Sequence, residues 1–291
     1  MAKKTTALAT LDTFSIANRY EGMDPEMMAE LQDEMSDLDP ESGITCRKIK
    51  IPSGGGLAYE VQREDETDAE YMKEINAVII FTHRVGGFWP GSYGDDEQNK
   101  IPVCSSMDGK TGLNTETGEL TSCETCPLNQ FGSATDQKGG PGKGKACKNM
   151  RRLYMMMDGD PNFYLLTVPP TSIRDVNKQL AKIMAGGVPY TGLVVRLTLE
   201  KTQNAAGVAY SKVVIGKSGL LPPAVSAVAK EMRRQIKEQY QSMAITADDY
   251  TSAPEQGAGG TTPPPDFQEA PADADGFMNV PEMTDEELPF N

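Results

Sequence analysis

Between residues 44 and 215 the apolar positions mostly alternate with polar ones or run in short blocks, the pattern of β-strands, and one stretch changes to helical spacing. Ile44–Ile51 and Leu57–Gln62 flank Pro52-Ser53-Gly54-Gly55-Gly56 and predict a hairpin. Ala77–His83 is a third β-rich run, followed by a loop, Arg84–Tyr93, that holds three glycines and three aromatics. Leu153–Met157 and Phe163–Val168 predict strands on either side of an Asp158-Gly159-Asp160-Pro161 turn. Thr171, after Pro169-Pro170, suits a helix N-cap. Ile173, Val176, Leu180, Ile183 and Met184 share one face of the helix that follows, and Gly186-Gly187 ends it. Leu193–Glu200 and Val208–Ile215, joined by Asn204-Ala205-Ala206-Gly207, complete the set. Alternation turns Leu193, Val195, Leu197 and Leu199 to one side and Arg196 to the other. In the partner strand Ala209, Val213 and Ile215 suit the core, with Tyr210 and Lys212 outward.

Outside this region the period changes. Asp24-Pro25 provides an N-cap with proline at the first helical position, and Met23, Met27, Met28, Leu31, Met35 and Leu38 follow at helical spacing. Such a helix packs on the core or, in a sharper reading, serves as a partner-binding or self-associating arm; methionine suits both. Pro222-Pro223 opens a last helix with Val225, Val228, Met232, Ile236 and Tyr240 on one side. Beyond Thr246 the chain is Gly, Pro, Ala and acids, a composition that buries too little apolar area to offset its ordering entropy, so disorder is expected there.

These segments imply an arm over residues 1–42, a core over 43–245 and a tail over 246–291. The core is mainly β, of the α+β class. Strands, a helix and two more strands around a long inserted loop fit an OB-fold-like barrel, with the Thr171–Ala185 helix as its plug.

Charge follows the same divisions. The arm carries a balance of −7, the core +4 and the tail −11, within a net charge of −14. A mildly basic core between acidic ends is compatible with an anionic ligand in a way the average is not.

The densest chemistry lies over residues 101–152. Cys104-x18-Cys123-x2-Cys126-x20-Cys147 places a close pair between two distant cysteines, in a stretch rich in Gly, Ser, Thr and Lys. A tetrahedral Zn²⁺ site takes two thiolates from a tight turn and two from flanking segments. Free thiols and disulfides are the alternatives. The metal is favoured because the stretch has little core of its own and Met-Ala-Lys-Lys-Thr-Thr lacks the apolar run of a signal peptide. Cys46 is then left over, with Cys46 or His83 as a substitute ligand. The fourth cysteine leads into Lys138, Lys143, Lys145, Lys148, Arg151 and Arg152, with no acid from Gln137 to Met157.

A positive groove with aromatic faces is the chemistry of single-strand binding, phosphates meeting cations and bases stacking on rings. Phosphate candidates are Arg84, Lys143, Lys145, Lys148, Arg151, Arg152, Arg196 and Lys212. Stacking candidates are Phe88, Trp89, Tyr93, Tyr154 and Tyr210. Phe88 and Trp89 also suit a plug at the end of a barrel, and Arg196, Tyr210 and Lys212 also suit a solvated sheet face.

Two resemblances bear on function. Asp285-Glu286-Glu287-Leu288-Pro289-Phe290-Asn291 resembles the acidic tip of bacterial single-stranded DNA-binding proteins, which docks replication and repair partners; here Asn291 follows the phenylalanine. Pro102-Val103-Cys104-Ser105-Ser106-Met107-Asp108-Gly109, Cys123-Glu124-Thr125-Cys126-Pro127, Gly144-Lys145-Ala146-Cys147-Lys148-Asn149-Met150-Arg151-Arg152-Leu153 and Pro169-Pro170-Thr171-Ser172 resemble a family of phage and mobile-element proteins assigned to single-stranded DNA binding, over roughly residues 75–215. A zinc-bearing OB-fold is also the plan of the single-strand binding protein of T-even phages and of one replication protein A domain.

The resemblance implies a sequence-independent single-stranded DNA-binding protein of phage or mobile-element replication and recombination, in the bacterial cytoplasm, recruiting replication or recombination proteins through its tail. A zinc-ribbon adaptor for a host replication or transcription protein is the alternative, and an RNA or duplex binder a third. Catalysis has little material: one histidine, no Gly-x4-Gly-Lys-Ser/Thr loop, and four cysteines that would close a zinc site. No apolar run reaches the roughly 20 residues that span a bilayer.

Overall fold

A computed structural model describes residues 8–17, 24–38, 46–63, 69–90, 101–135, 140–204, 207–241 and 245. Their eleven strands join one sheet whose spine is β4 (Glu74–Phe88), which uses both of its edges. One edge pairs along most of its length with β8 (Lys148–Met157). The other edge is divided: Glu74–Ala77 pair with β10 (Leu193–Gln203), and Gly86–Phe88 with β5 (Cys104–Ser106). Beyond β8 come β9 (Phe163–Val168), β1 (Cys46–Lys50), β2 (Tyr59–Gln62) and β3 (Ala69–Met72). Beyond β10 comes β11 (Ala209–Leu220), and beyond β5 come β6 (Thr111–Asn114) and β7 (Leu120–Ser122). β1 and β9 run parallel, and the remaining pairs are antiparallel.

Alternation sorts the side chains into two cores. Ile79, Leu153, Met155, Leu166 and Leu197 meet Val176, Leu180 and Ile183 of α2 (Pro170–Met184) inside the curled sheet. Val78, Ile80, Tyr154, Met156 and Val194 face the other way, under Phe14 and under Ala229 and Ile236 of α3 (Pro223–Gln239). A bulge between Ile79 and Phe81 resets the register of β4. Past it Phe81, His83 and Val85 stay on the outer side, while Thr82, Arg84 and Gly86 lie on the side of the inner core.

The sheet is open, so the closed barrel expected from the strand order is corrected to a mainly β, α+β fold with a mixed curled sheet. The reason lies at β11. Ser172 Oγ and Gln179 Oε1 of α2 accept the N–H groups of Val213 and Ile215, at 3.1 and 2.8 Å. The helix thereby covers the edge that a closing strand would have used. The Tyr59 hydroxyl donates to the Thr198 carbonyl at 3.0 Å, and the Ser211 hydroxyl donates to the carbonyls of Pro52 and Gly56. Side chains bridge the gap where a ladder would close it.

Three further readings change. Arg84–Phe88, expected in a loop, continue β4, and Lys148–Arg152, expected at a loop's end, begin β8. In α1 (Pro25–Leu38) the Asp24 carboxylate accepts the N–H of Met27 at 2.8 Å, as the N-cap reading requires. The described side chains of α1 are nevertheless exposed, apart from half-buried Leu31, so the expected packing on the core is absent among them. No helix among the described residues is long and apolar enough to cross a membrane. The expected tail, including Asp285, Glu286, Glu287, Leu288, Pro289 and Phe290, lies outside the described residues, as does Tyr93.

Candidate metal centre and nucleic-acid interface

The cysteine-bearing stretch hangs from the end of β4 as a small three-stranded extension. Cys104 opens β5, Cys123 follows β7, Cys126 precedes a 3-10 turn at Pro127–Asn129, and Cys147 directly precedes β8. Polar groups fold these connections. Asp108 Oδ1 accepts the N–H groups of Lys110 and Thr111 and the Ser106 hydroxyl, closing the turn into β6. Burial alone would raise the Asp108 pKa, but those donors outweigh it and hold the carboxyl below its usual range. The Asn129 side chain ties three segments together: its amide donates to the Cys123 carbonyl at 2.6 Å, and its Oδ1 accepts from Asn149 at 2.7 Å and from Lys145 Nζ at 3.3 Å. The Cys147 N–H, donating to the Leu128 carbonyl at 2.9 Å, brings the fourth cysteine back over the turn.

The four cysteines line one cavity of about 20 Å³, with Gly86, Phe88 and Asn129 among its walls; that is room for a single water-sized occupant. A Cβ placed on Gly112 would lie 2.9 Å from Cys104 Sγ and 3.7 Å from Cys123 Sγ, so only glycine lets the β6 backbone approach the sulfurs. The thiols influence one another. Burial raises the Cys104 pKa first, and Cys123 and Cys126 add to it. Burial pushes Cys147 up to about 12, with contributions from Cys123, Cys104 and Cys126. As placed, no three His, Cys, Asp or Glu side chains among the described residues converge closely enough to hold an ion. The donor set itself is that of a structural Zn²⁺ site, four soft sulfurs around one small cavity. Cys46 lies elsewhere, against the outer core on β1.

The positive charge is divided between faces. Arg84 and Arg151 sit directly opposite each other on β4 and β8. Arg151 donates to Asn177 Oδ1 of α2 at 2.7 Å and to Thr82 Oγ1 at 3.0 Å. Burial lowers the Arg151 pKa, and Arg84 lowers it further. No carboxylate among the described residues stands in ion-pair range of either guanidinium. Asn149, two positions along β8, reaches Asn129 and thus Lys145. A polar, cationic strip therefore runs along one face, from the Arg pair to the cysteine turn. Exposed Lys143 lies on the adjoining loop.

Other expected contacts fall elsewhere. The period of two sends Lys148 and Arg152 to the face opposite Arg151. Arg152 is 1% exposed and Tyr154 is fully buried, so neither presents a surface to DNA. Trp89 folds back over Gly87, whose added Cβ would meet its ring at 2.4 Å, and packs with Val85, Met150 and Ile245 on the outer side of β4, neither inside the curled sheet nor free in solvent. Phe88 is half-buried in the cavity wall. Lys212 is paired with Asp175 at 2.7 Å. Arg196, Tyr210 and Lys212 do share an outward face, but the register sets Tyr210 six positions from Arg196, about 20 Å along the ladder. They form no cluster, and Arg196 faces away from Arg151.

His83 belongs to the join between the two regions. Its Nδ1 lies 2.8 Å from the Met107 carbonyl, which only accepts, so that nitrogen carries the hydrogen and Nε2 accepts from the Tyr154 hydroxyl at 3.2 Å. The ring sits among Phe81, Tyr154 and Tyr240, at 5.4, 5.7 and 4.6 Å between centroids. Burial lowers its pKa to about 4, with Arg152 and Arg151 adding to the effect. Both nitrogens are engaged by Met107 and Tyr154, and His83 is not among the residues that line the cysteine cavity. Sequence reading missed Phe131, which is 81% exposed beside Lys145; flanked by Gln130 and Gly132, it has no apolar periodicity to draw notice. No protein-family model matches the chain, and no curated protein or solved structure matches it either.

Proposed function

We propose that the protein is a non-catalytic, sequence-independent single-stranded DNA-binding protein of phage or mobile-element replication and recombination, and that Cys104, Cys123, Cys126 and Cys147 hold one structural Zn²⁺. The observation that carries the DNA reading is the Arg84–Arg151 pair. Like charges directly opposed across strands destabilise a sheet, and no described carboxylate offsets this pair. An incoming phosphate would supply countercharge to the pair, and Lys145 and Lys143 extend the track past the cysteine turn. The zinc reading rests on the cavity that the four cysteines share; an ion bound there would keep the 101–147 region in place on β4.

An OB-fold-like plan with α2 in the place of the plug is the fold reading that goes with this function, and the proposed binding strip runs along β4 and β8. The acidic tail, with −11 over residues 246–291, competes with DNA for the same cations and docks replication or recombination proteins through Asp285–Phe290; the setting is the bacterial cytoplasm. The exposed described side chains of α1, Met27 among them, suit self-association or a partner. A zinc-ribbon adaptor is the second reading, favoured by those side chains.

Titration of labelled single-stranded DNA, duplex DNA and RNA at several salt concentrations tests the proposal. Single-stranded DNA should bind best, with log K falling against log salt by about 0.7 per phosphate contact. Arg84→Ala with Arg151→Ala should flatten that slope, and removal of residues 246–291 should tighten binding at low salt. Preference for duplex or RNA, or absence of binding in the full and truncated chains alike, would overturn the reading.

A further inference from the structure

We infer that Phe131 is a stacking platform for a nucleobase, a role that rests on the single-stranded DNA reading above. The ring stands in water, the residue being 81% exposed, yet its backbone is tightly held. Gln130 donates from its backbone N–H to the Pro127 carbonyl and from its side chain to the carbonyls of Glu124 and Cys126. The Gly132 N–H donates to the Gly144 carbonyl at 2.9 Å, and the Ser133 hydroxyl donates back to Leu128 and Gln130. An aromatic side chain on a mobile loop would need no explanation. This one is fixed outward on both sides of its own position.

Its surroundings identify the ligand. Lys145 Nζ lies 5.1 Å from the ring centroid, within cation–π range, and is itself positioned by Asn129 Oδ1 at 3.3 Å. The residues next to Phe131 are Gln130, Gly132 and Ser133, and across the loop lie Lys143, Gly144 and Lys145. A protein hot spot lies in a well-packed pocket from which water is excluded, whereas this ring stands 81% exposed. An aromatic ring framed by glycine, amide and ammonium groups offers a flat π-face and a cation at one step, which matches one base and its phosphate. Asn129 also bonds Asn149, on the same face of β8 as Arg151, so this step continues the Arg84–Arg151 strip.

The test uses the full chain with two probes, an oligothymidylate and an abasic phosphodiester of equal length. The wild-type protein should bind the oligothymidylate more tightly, since only that probe has bases. Phe131→Ala and Phe131→Leu should each weaken oligothymidylate binding by about tenfold, one stacked base being worth roughly 5- to 150-fold, with abasic binding and salt slope unchanged. Phe131→Trp should bind as well as wild type or better. Wild-type-like oligothymidylate binding by Phe131→Ala, or full retention by Phe131→Leu, would overturn the stacking role and leave the DNA reading standing. Failure of the wild-type chain to bind either probe would overturn both.

Discussion

The curled sheet buries Ile79, Leu153, Met155, Leu166 and Leu197 against a helix, whereas described residues 101–135 and 140–147 bury only Pro102, Ser106 and Gly112. Both regions meet on β4, where β8 takes one edge and β10 and β5 take opposite ends of the other. The sheet is held by apolar area removed from water, worth roughly 1.5–3 kcal/mol for each large aliphatic side chain fully buried. In the cysteine region that term is nearly absent. Leu113 and Leu120, a cross-strand pair, are 42% and 67% exposed. Turn hydrogen bonds and the Asn129 side chain take its place. Two halves of one sheet thus depend on different chemistry, and each should fail under a different insult.

The largest separation should come from removing a thiol. If Zn²⁺ holds the cysteine region, its contribution is on the order of 10 kcal/mol, with little hydrophobic burial behind it. Cys126→Ser should lower zinc content from one equivalent and raise amide hydrogen exchange across residues 101–147. Protection in β9 and β10 should persist, and Cys46→Ser should change neither quantity. Uniform loss of protection through both regions would show that they are a single cooperative unit.

A smaller effect should appear at the join. His83 bonds Met107 on the cysteine side and Tyr154 in the outer core, and it is held neutral with a pKa of about 4. A histidine with a depressed folded-state pKa binds its proton more readily when unfolded. Stability should therefore be fully present above about 6.5, the unfolded value, and fall as pH drops toward 4, by on the order of 3 kcal/mol. Chemical denaturation of the wild-type chain across that window should show the fall, and His83→Gln should remove most of it. An unchanged slope in the variant would place the pH dependence elsewhere.

The contrast between the regions also explains what was legible in the sequence. Where apolar burial sets the structure, its period is written in the residues: β9, α2 and the β10–β11 hairpin were readable from spacing and turn composition alone. The cysteine region has turns, exposed leucines and hydrogen-bonding side chains in place of a period, so β5, β6 and β7 could not be distinguished from loop. Arg84–Phe88 read as a loop because Gly86 and Gly87 suggest one, although Gly87 lies in a strand and is needed there for the close approach of the Trp89 ring. The four cysteines were recoverable from spacing. Which cations shared a face was not, because that depends on β8 beginning at Lys148 rather than Leu153. That boundary buries Arg152 and Tyr154 and leaves Arg151 opposite Arg84.

The most direct test joins the two regions to the function assigned to them. Affinity for single-stranded DNA should be measured by anisotropy on one preparation before and after zinc extraction with a chelator, at fixed salt, with circular dichroism recorded on both samples. Loss of the metal should disperse Lys145, Phe131 and the turn that carries them while the Arg84–Arg151 pair stays on its strands. Affinity is then expected to fall at least about tenfold, the loss of one stacked base and one charge, with the β-sheet spectrum retained. An unchanged binding isotherm after complete zinc extraction would contradict the account.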